Sequence, residues 1–376
     1  MPAYLTSFGK FLPGEPVPAE AIEEYVGALG NPEIRDTVVQ NGGIQTRHFA
    51  IDRDQNTVFS NTEMASNAIT EAVDRSPIGL DDVDVLAVAT SAGDYGGPAL
   101  ANMVHGDLME RPVEIVAANG FCASSMVALK SAYLMVREGE QSNAVICGSE
   151  LTSRQFKSSR YANGNGLGEN GDLPFDVAFL RYMLSDGAGA AVIQDRPAPE
   201  GTSYRIEWVT NTSYAHTTGP CMYVGSTGED PEGRTWQDYK TIDEAAKAGA
   251  LSLRQNMRLL PRFIRTCGKE WARLINEGYF DPDRITRVAF HYSSEALRAH
   301  FRRAFAREGV TPLEERWYSN LVRVGNIGCA AIWVMLEELT RTEGLEPGDQ
   351  VLCFVPESGR FGVSMMLLTA VGPDGA

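Results

Sequence analysis

The chain alternates short apolar runs with amphipathic stretches, and this alternation occurs twice along its length. In the first half it predicts strands at 83–89, 113–117, 144–148 and 185–193, and helices near 61–75, 99–110 and 123–138. In the second half it predicts helices near 243–277, 295–308 and 327–340, and strands at 287–290, 351–355 and 362–370. Strands that alternate with helices of this length form a sheet covered by helices on both faces. The sequence therefore predicts an α/β fold.

The two halves also contain similar turns. Segments 119–124 and 326–331 each place a glycine-containing turn before a helix of small residues. We therefore expect an internal duplication, with an N-terminal half over 1–195 and a C-terminal half over 196–376. Two segments, 154–175 and 210–240, are rich in Gly, Asn, Asp, Ser and Pro. Loops of this length are usually functional, so we interpret them as insertions that border the active site.

Charge and cysteine content restrict the class of protein. The net charge is −16, with 49 acidic and 33 basic residues, which argues against sequence-independent nucleic-acid binding because that requires a positive surface. The apolar runs are far shorter than the ~20 residues of a membrane helix, and the N-terminus has no signal-peptide pattern. Six scattered cysteines show no metal-ligand spacing, so we expect reduced thiols and no metal. We expect a cytoplasmic protein.

Three polar residues stand in stretches that are otherwise small or apolar: Cys122, His291 and Asn326. Cys122 precedes a predicted helix, and the unpaired N–H groups and dipole of a helix N-terminus favour the thiolate form. His291 ends an apolar strand, and Asn326 lies in a turn with two glycines. The three predict a Cys-His-Asn site in which Cys122 is the nucleophile. Each of the other two also fits a structural role, His291 as a core histidine and Asn326 as an ordinary turn residue.

Several motifs in this order resemble the thiolase superfamily, and within it the β-ketoacyl-acyl-carrier-protein synthase III-like condensing enzymes. They are the Gly-Ile-Gln-Thr-Arg-His segment at 43–48, the strand and Asp-Tyr loop at 85–98, and the Asp-Gly-Ala-Gly-Ala segment at 186–190. The resemblance implies a thiolase-like five-layered α-β-α-β-α sandwich made of two duplicated halves. It also implies a homodimer.

The resemblance further implies that Cys122 carries an acyl group as a thioester. His291 and Asn326 would then stabilise the enolate of a malonyl- or β-ketoacyl-type thioester, formed by loss of carbon dioxide from a malonyl group. The backbone N–H groups of Cys122 and Gly359 would hold the oxyanion at the acyl carbon. We therefore expect an acyl-transferring ketosynthase that uses an acyl carrier protein or acyl-coenzyme A and has no resident cofactor.

Three departures from the family pattern point to a specialised member, as in polyketide or other secondary metabolism. The histidine motif ends in Ser294 where the family has a supporting amide, and Gly359 is the one glycine left of a glycine-rich turn. Thr37 and Asn41 stand where a Trp and an Arg sandwich the adenine of coenzyme A. We therefore expect a carrier protein or an unusual thioester as the acyl donor.

An acidic enzyme needs a local basic patch to bind an acidic carrier protein. Arginines recur at helical spacing in two stretches of the second half, where such rows are otherwise ordinary solvated helix faces. The candidates for docking are Arg258, Arg262, Arg265, Arg298, Arg302 and Arg303.

Two other functions fit the same sequence. The first is a thiolase-fold acyltransferase that passes the acyl group to an alcohol or amine, with His291 as the general base. The second is a non-catalytic partner subunit that only shapes a heterodimer. Carbon dioxide release from a malonyl thioester separates the first from a ketosynthase, and an acyl adduct on Cys122 excludes the second.

Overall fold

The computed structural model describes residues 1–168, 170–228 and 232–375. The strands in this part of the chain are β1 (Tyr4–Phe11), β2 (Val17–Pro18), β3 (Thr46–Arg47), β4 (Val85–Thr90), β5 (Glu114–Asn119), β6 (Asn143–Glu150), β7 (Gly187–Gln194), β8 (Ser203–Ser213), β9 (Met222–Tyr223), β10 (Arg254–Gln255), β11 (Ile285–Phe290), β12 (Trp317–Tyr318), β13 (Gln350–Glu357) and β14 (Gly362–Val371). The α-helices are α1 (Ile22–Val26), α2 (Pro32–Gly42), α3 (Asn61–Asp74), α4 (Leu100–Leu108), α5 (Ser124–Glu138), α6 (Phe175–Met183), α7 (Ile242–Lys247), α8 (Leu260–Asn276), α9 (Arg298–Arg307), α10 (Leu321–Val324) and α11 (Ala331–Thr342).

Ten strands form one mixed sheet in the order β12-β11-β13-β14-β8-β1-β7-β6-β4-β5. In the first half of this sheet, β4 pairs in parallel with β5 and β6, while β7 is antiparallel to β6 and β1. In the second half, β11 pairs in parallel with β12 and β13, while β14 is antiparallel to β13 and β8. The same five-strand topology therefore occurs twice. The predicted division between 195 and 196 falls in the connection from β7 to β8, and its position stays a prediction.

The two halves stack around a central layer of helices. Helices α5 and α11 share one buried cluster with residues of β4 and β6 from the first half and of β13 and β14 from the second. Helices α3 and α4 cover the outer face of the first half, and α8 and α9 cover that of the second. The strands join directly where β1 pairs with β8 through Tyr4–Arg205 and Leu5–Tyr204. This arrangement confirms the predicted five-layered sandwich.

Local sequence explains where the helices that support the site begin and end. Ser60 caps α3 and forms a capping box with Glu63, so the helix begins at residue 61 as predicted. Helix α5 ends at Gly139, which adopts a left-handed conformation with φ of 77°. Glycine tolerates this conformation without a steric penalty, which stops the helix at this residue.

Two predictions about the second half are wrong. The predicted helix over 243–277 is divided into α7 and α8, with β10 between them. Gly249 has φ of 75° just after α7, and Arg254 in β10 is buried against Asp176, with 2.9 Å between nitrogen and oxygen. Strand β8 also extends to Ser213, inside the predicted loop 210–240. Residues 169 and 229–231 of the predicted insertions lie outside the described residues.

Candidate active site

Cys122 lies between the end of β5 and the first turn of α5. Its side chain is buried, and the helix that follows has no side-chain cap at its N-cap residue, Ala123. The N–H of Ser124 donates instead to the carbonyl of Phe121 at 3.2 Å, and that of Ala123 to a carboxylate from a distant part of the chain, Glu357, at 3.0 Å. The structure thus puts the candidate nucleophile at the positive end of a helix of 15 residues.

The protonation state of Cys122 differs from the expectation. Burial raises the pKa of the Cys122 thiol well above its ordinary value, and the carboxylates of Glu357 and Glu150 raise it further. The predicted preference for thiolate is therefore wrong for the protein without substrate. Loss of hydration and the two nearby negative charges outweigh the helix dipole, since both disfavour the charged form of the thiol.

Asn326 lies in the turn between α10 and the short helical turn that leads into α11. Its Oδ1 accepts the N–H of Gly328 at 3.1 Å, which holds the turn in shape. Cys329, which follows Gly328, accepts a hydrogen bond through its backbone carbonyl from the hydroxyl of Ser125 at 2.7 Å. Because Ser125 belongs to the first turn of α5, this contact brings the Asn326 turn against the helix that follows Cys122.

His291 directly follows β11, and its backbone N–H donates to the carbonyl of Phe354 in β13 at 3.0 Å. The imidazole is buried, and burial lowers the pKa of His291 from 6.5 to about 4. The ring is therefore neutral at neutral pH. Strand β13 continues from Phe354 to Glu357, whose carboxylate accepts the N–H of Ala123 at 3.0 Å. The segments of Cys122 and Asn326 thus meet at the N-terminus of α5, and that of His291 is bonded to strand β13, which reaches the same point through Glu357.

Ser294 has a different role from the predicted one. Its hydroxyl accepts the N–H of Ala296 at 3.3 Å and caps the helical turn at 295–297. Within the described ranges its hydroxyl forms no hydrogen bond with the ring of His291. Ser294 therefore shapes the segment after His291 and does not hold the imidazole directly.

The predicted oxyanion hole contains a carboxylate. The N–H of Gly359 donates to Oε1 of Glu357 at 2.7 Å, and the N–H of Ala123 donates to Oε2 at 3.0 Å. The Gly359 donor that we assigned to the acyl oxyanion is thus occupied by a side chain. The sequence analysis missed Glu357, although an acidic residue next to the shortened glycine turn was a usable signal.

Glu150, at the end of β6, is a second acidic residue that sequence reasoning missed. It is 1% exposed, and it accepts hydrogen bonds from the N–H of Ser91 at 3.2 Å and of Cys329 at 3.3 Å. Burial raises the pKa of Glu150 to about 7. A Cβ on Gly328 would lie 2.9 Å from Oε1 of Glu150, so glycine leaves room for the carboxylate beneath the Asn326 turn.

A cavity of about 610 Å³ opens beside the N-terminus of α5. Its wall includes Phe121, Ala123 and Ser124, which flank the nucleophile, together with Glu357 and Gly359. The segment 220–224 forms another side, so part of the predicted insertion 210–240 does border this space. Cys122, His291 and Asn326 are not among the lining residues. The cavity therefore reaches the backbone around the nucleophile without exposing its sulfur.

The candidate docking arginines lie on the outer layer of the second half. Arg262 and Arg265 are exposed on α8, and Arg258 is exposed just before it. On α9, Arg298 and Arg302 both pair with Glu314, at 3.1 and 3.2 Å. In the part of the chain that the structure describes, the other four candidates, including Arg303, form no ion pair. Their role in docking stays a prediction.

The described residues lack both a membrane-spanning helix and a metal-binding cluster. No helix among them combines the length and apolar character needed to span a membrane. These residues also contain no cluster of three or more His, Cys, Asp or Glu side chains able to hold a metal ion.

Comparisons of the sequence give matches to condensing enzymes. Residues 45–170 match the family model described as the thiolase N-terminal domain. A β-ketoacyl-acyl-carrier-protein synthase III of Dinoroseobacter shibae is 29% identical over 203 residues, which covers 54% of this chain and 54% of that protein. The protein of the same name from Bordetella petrii is 25% identical over 258 residues, covering 66% of this chain and 72% of the relative. The chain thus spans about half the length of the first of these relatives.

Comparisons of the fold cover nearly the whole chain. The tetronic acid condensing enzyme AbyA1 superposes with a TM-score of 0.77 at 19% identity, covering 98% of this chain and 99% of that one. A variant of OleA from Xanthomonas campestris superposes with a TM-score of 0.74 at 17% identity, covering 98% of both chains. At such low identity these matches show the fold alone. With the sequence matches, they confirm the predicted resemblance: the chain has a thiolase-like fold and is similar in sequence to β-ketoacyl-acyl-carrier-protein synthase III.

Proposed function

We propose that the protein is an acyl-transferring ketosynthase that carries its acyl group on Cys122. One observation carries this proposal: the segments bearing Cys122 and Asn326 meet at the N-terminus of α5, beside a cavity of about 610 Å³, and the segment bearing His291 is bonded to strand β13, whose last residue Glu357 reaches the same point. The nucleophile comes from the first half of the fold, and the histidine and asparagine come from the second. A buried thiol with neighbours of this kind suits covalent acyl transfer.

The proposed reaction has two steps. First, the sulfur of Cys122 attacks the thioester carbonyl, and the carrier thiol leaves with the proton that the cysteine gives up. Second, a malonyl-type thioester loses carbon dioxide, and the electron pair of the broken carbon–carbon bond forms an enolate. That enolate attacks the acyl carbon and releases the Cys122 sulfur. A neutral His291 and the Asn326 amide each supply an N–H donor for the enolate oxygen.

Intact-mass spectrometry with a panel of acyl thioesters on carrier protein and on coenzyme A tests the first step. We expect a mass increase on the wild type and none on Cys122→Ala. Carbon dioxide release from a malonyl thioester, dependent on prior acyl loading, tests the second step. An unmodified wild-type protein with every donor would refute the proposal and favour the non-catalytic subunit.

One observation also supports transfer of the acyl group to an alcohol or amine. The His291 imidazole is neutral at neutral pH and so has a nitrogen lone pair for a proton from a hydroxyl or amine, although burial lowers its pKa to about 4 and makes it a weaker base than an ordinary histidine. This second function predicts normal acyl loading without carbon dioxide release. An ester or amide product would then replace the β-ketoacyl product.

We further propose a carrier protein as the acyl donor and a homodimer as the working assembly. Thr37 and Asn41 are exposed on α2 and offer no ring to stack on adenine. Strand β5 lies at the end of the sheet, and the neighbouring helix α5 exposes Val127 and Leu134 by 49% and 39%. An unpaired strand edge beside exposed apolar side chains supports self-association. Light scattering measures the mass of the assembly, and a monomer at micromolar concentration would contradict the dimer.

A further inference from the structure

The carboxylate of Glu357 is a fixed negative charge beside the nucleophile. Its two oxygens accept the N–H of Gly359 at 2.7 Å and the N–H of Ala123 at 3.0 Å. One donor belongs to the turn between β13 and β14, and the other to the N-terminus of α5. Both kinds of donor stabilise an anion. The two bonds hold the charge one residue away from Cys122 in the chain.

The packing around this carboxylate leaves it little freedom. A Cβ on Gly359 would lie 2.8 Å from Oε1 of Glu357 and 2.9 Å from the ring of Phe121. The carboxylate is therefore enclosed between the turn and the start of α5. An acyl group that reaches Cys122 must place its carbonyl close to this charge.

Among the described residues, the one positive charge of the cavity lining is already paired with a carboxylate other than Glu357. The charged residues of its lining are Glu357 and Arg360. Arg360 is exposed, and its guanidinium pairs with Glu232 at 2.7 Å. A second carboxylate brought into the cavity with a substrate would thus meet a like charge without a free cation beside it.

We propose that Glu357 determines which acyl groups Cys122 accepts: neutral acyl thioesters are taken, and those with a carboxylate near the reacting carbonyl are rejected. The inference rests on the proposed acyl transfer to Cys122 and adds the class of acyl donor. Like charges a few ångströms apart in a partly buried site give a discrimination of about 100-fold. A malonyl-type group is then excluded as the acyl donor to Cys122.

Matched pairs of donors measure this selection. Acetoacetyl-coenzyme A and malonyl-coenzyme A carry acyl groups of nearly equal size, one neutral and one anionic. We expect the wild type to load acetoacetyl about 100-fold faster than malonyl on Cys122, as followed by intact mass. Glu357→Gln keeps the size of the side chain and removes its charge, so the ratio should fall below about 10. Glu308→Gln, which removes an exposed charge after α9 and far from the cavity lining, should keep the wild-type ratio.

A second measurement does not depend on acyl transfer. Iodoacetamide and iodoacetate are a neutral and an anionic reagent that alkylate the same thiolate, so their rate ratio on Cys122 is independent of the thiol pKa. Relative to free cysteine, the wild-type ratio should favour iodoacetamide by about 10-fold or more. Glu357→Gln should reduce this preference to within about 3-fold. Peptide mass mapping assigns the label to Cys122 among the six cysteines.

If Glu357→Gln does not fold, the same reagent ratio measured on the wild type as a function of pH tests charge selection. Burial raises the pKa of the Glu357 carboxyl above its ordinary value, so charge selection should weaken as the pH falls and the carboxylate is neutralised. The other titratable or charged groups on the elements packed around Glu357 are Cys122, Glu150, Cys221, Tyr223, His291 and Arg360. The iodoacetamide to iodoacetate rate ratio of free cysteine, measured at each pH, corrects for any change in the reagents themselves.

The outcomes separate the two proposals. Equal loading of the two thioesters by the wild type, or an unchanged ratio in Glu357→Gln, would overturn charge selection and leave acyl transfer intact. Failure of every thioester to load would overturn the proposed function and charge selection of acyl donors with it. A merely structural Glu357 would slow both members of each pair equally.

Discussion

Gly148 on β6 offers a sharp test of how the two halves of the fold position the site. A Cβ at this residue would lie 2.4 Å from the carbonyl oxygen of Cys329, 2.8 Å from its carbonyl carbon and 3.1 Å from the nitrogen of Ala330. All three atoms are backbone, so no side-chain rotation can relieve the contact. The substitution Gly148→Ala must push the turn that follows Asn326 away from the first half by about 1 Å.

The cost follows from the contacts that this shift breaks. Overpacking a buried site costs about 1–3 kcal/mol. The hydrogen bonds from Ser125 to the Cys329 carbonyl and from the Cys329 N–H to Glu150 add about 0.5–1.5 kcal/mol each. We therefore expect the free energy of unfolding to fall by about 2–6 kcal/mol and the melting temperature to fall by several degrees. A displacement of about 1 Å at Asn326 should slow condensation by about 100-fold.

The assay compares thermal unfolding, acyl loading and condensation for wild type and Gly148→Ala. Condensation should fall more than loading, because the turn with Asn326 moves while Cys122 stays on its own half. Gly106→Ala on α4 is the control, since a Cβ there meets no atom within 4 Å, and it should be neutral or stabilising by about 0.5–1 kcal/mol. A melting temperature and condensation rate like those of the wild type in Gly148→Ala would refute this reasoning.

Three further predictions concern other parts of the chain. Because the pKa of His291 is lowered from 6.5 to about 4, the unfolded chain binds a proton between these pH values that the folded chain does not. The free energy of unfolding from urea titrations should therefore be about 3 kcal/mol lower at pH 4 than at pH 7, and His291→Gln should lack this difference. Ser60→Ala removes the cap of α3 and should lower the free energy of unfolding by about 1 kcal/mol in urea titration, and an unchanged value would contradict the cap's contribution. Three exposed arginines test carrier docking: Arg258, Arg262 and Arg265. Reversing their charges should raise the KM for carrier-bound donors by about 10-fold and leave the KM for coenzyme A donors unchanged, and equal effects on both would exclude docking on this surface.

The sequence predicts those elements whose local pattern and final burial agree. Strands β4, β13 and β14 coincide with continuous apolar runs because both of their faces are buried. The order of these elements, repeated in the second half, predicts an α/β fold, and the five-layered sandwich follows from the resemblance to the thiolase superfamily. The helix predicted over 243–277 fails because its periodicity continues past Gly249, where the backbone takes a left-handed conformation. The buried ion pair of Arg254 with Asp176 then holds the intervening segment as a strand.

The site was less predictable than the fold. The positions of Cys122 before a helix and His291 after a strand follow from local patterns. The state of the thiol does not, because it depends on Glu150 and Glu357, which come from distant parts of the sequence. The contact between the Glu357 carboxylate and the start of α5 depends on how β13 packs against the first half of the fold, which local sequence patterns do not show.

The direct strand connection between the two halves, Tyr4–Arg205 and Leu5–Tyr204, is short compared with the pairing inside each half. The residues proposed to react come from both sides of this joint. A perturbation that loosens it should therefore lower the proposed activity while each half remains folded, so activity should be lost before the circular dichroism spectrum changes.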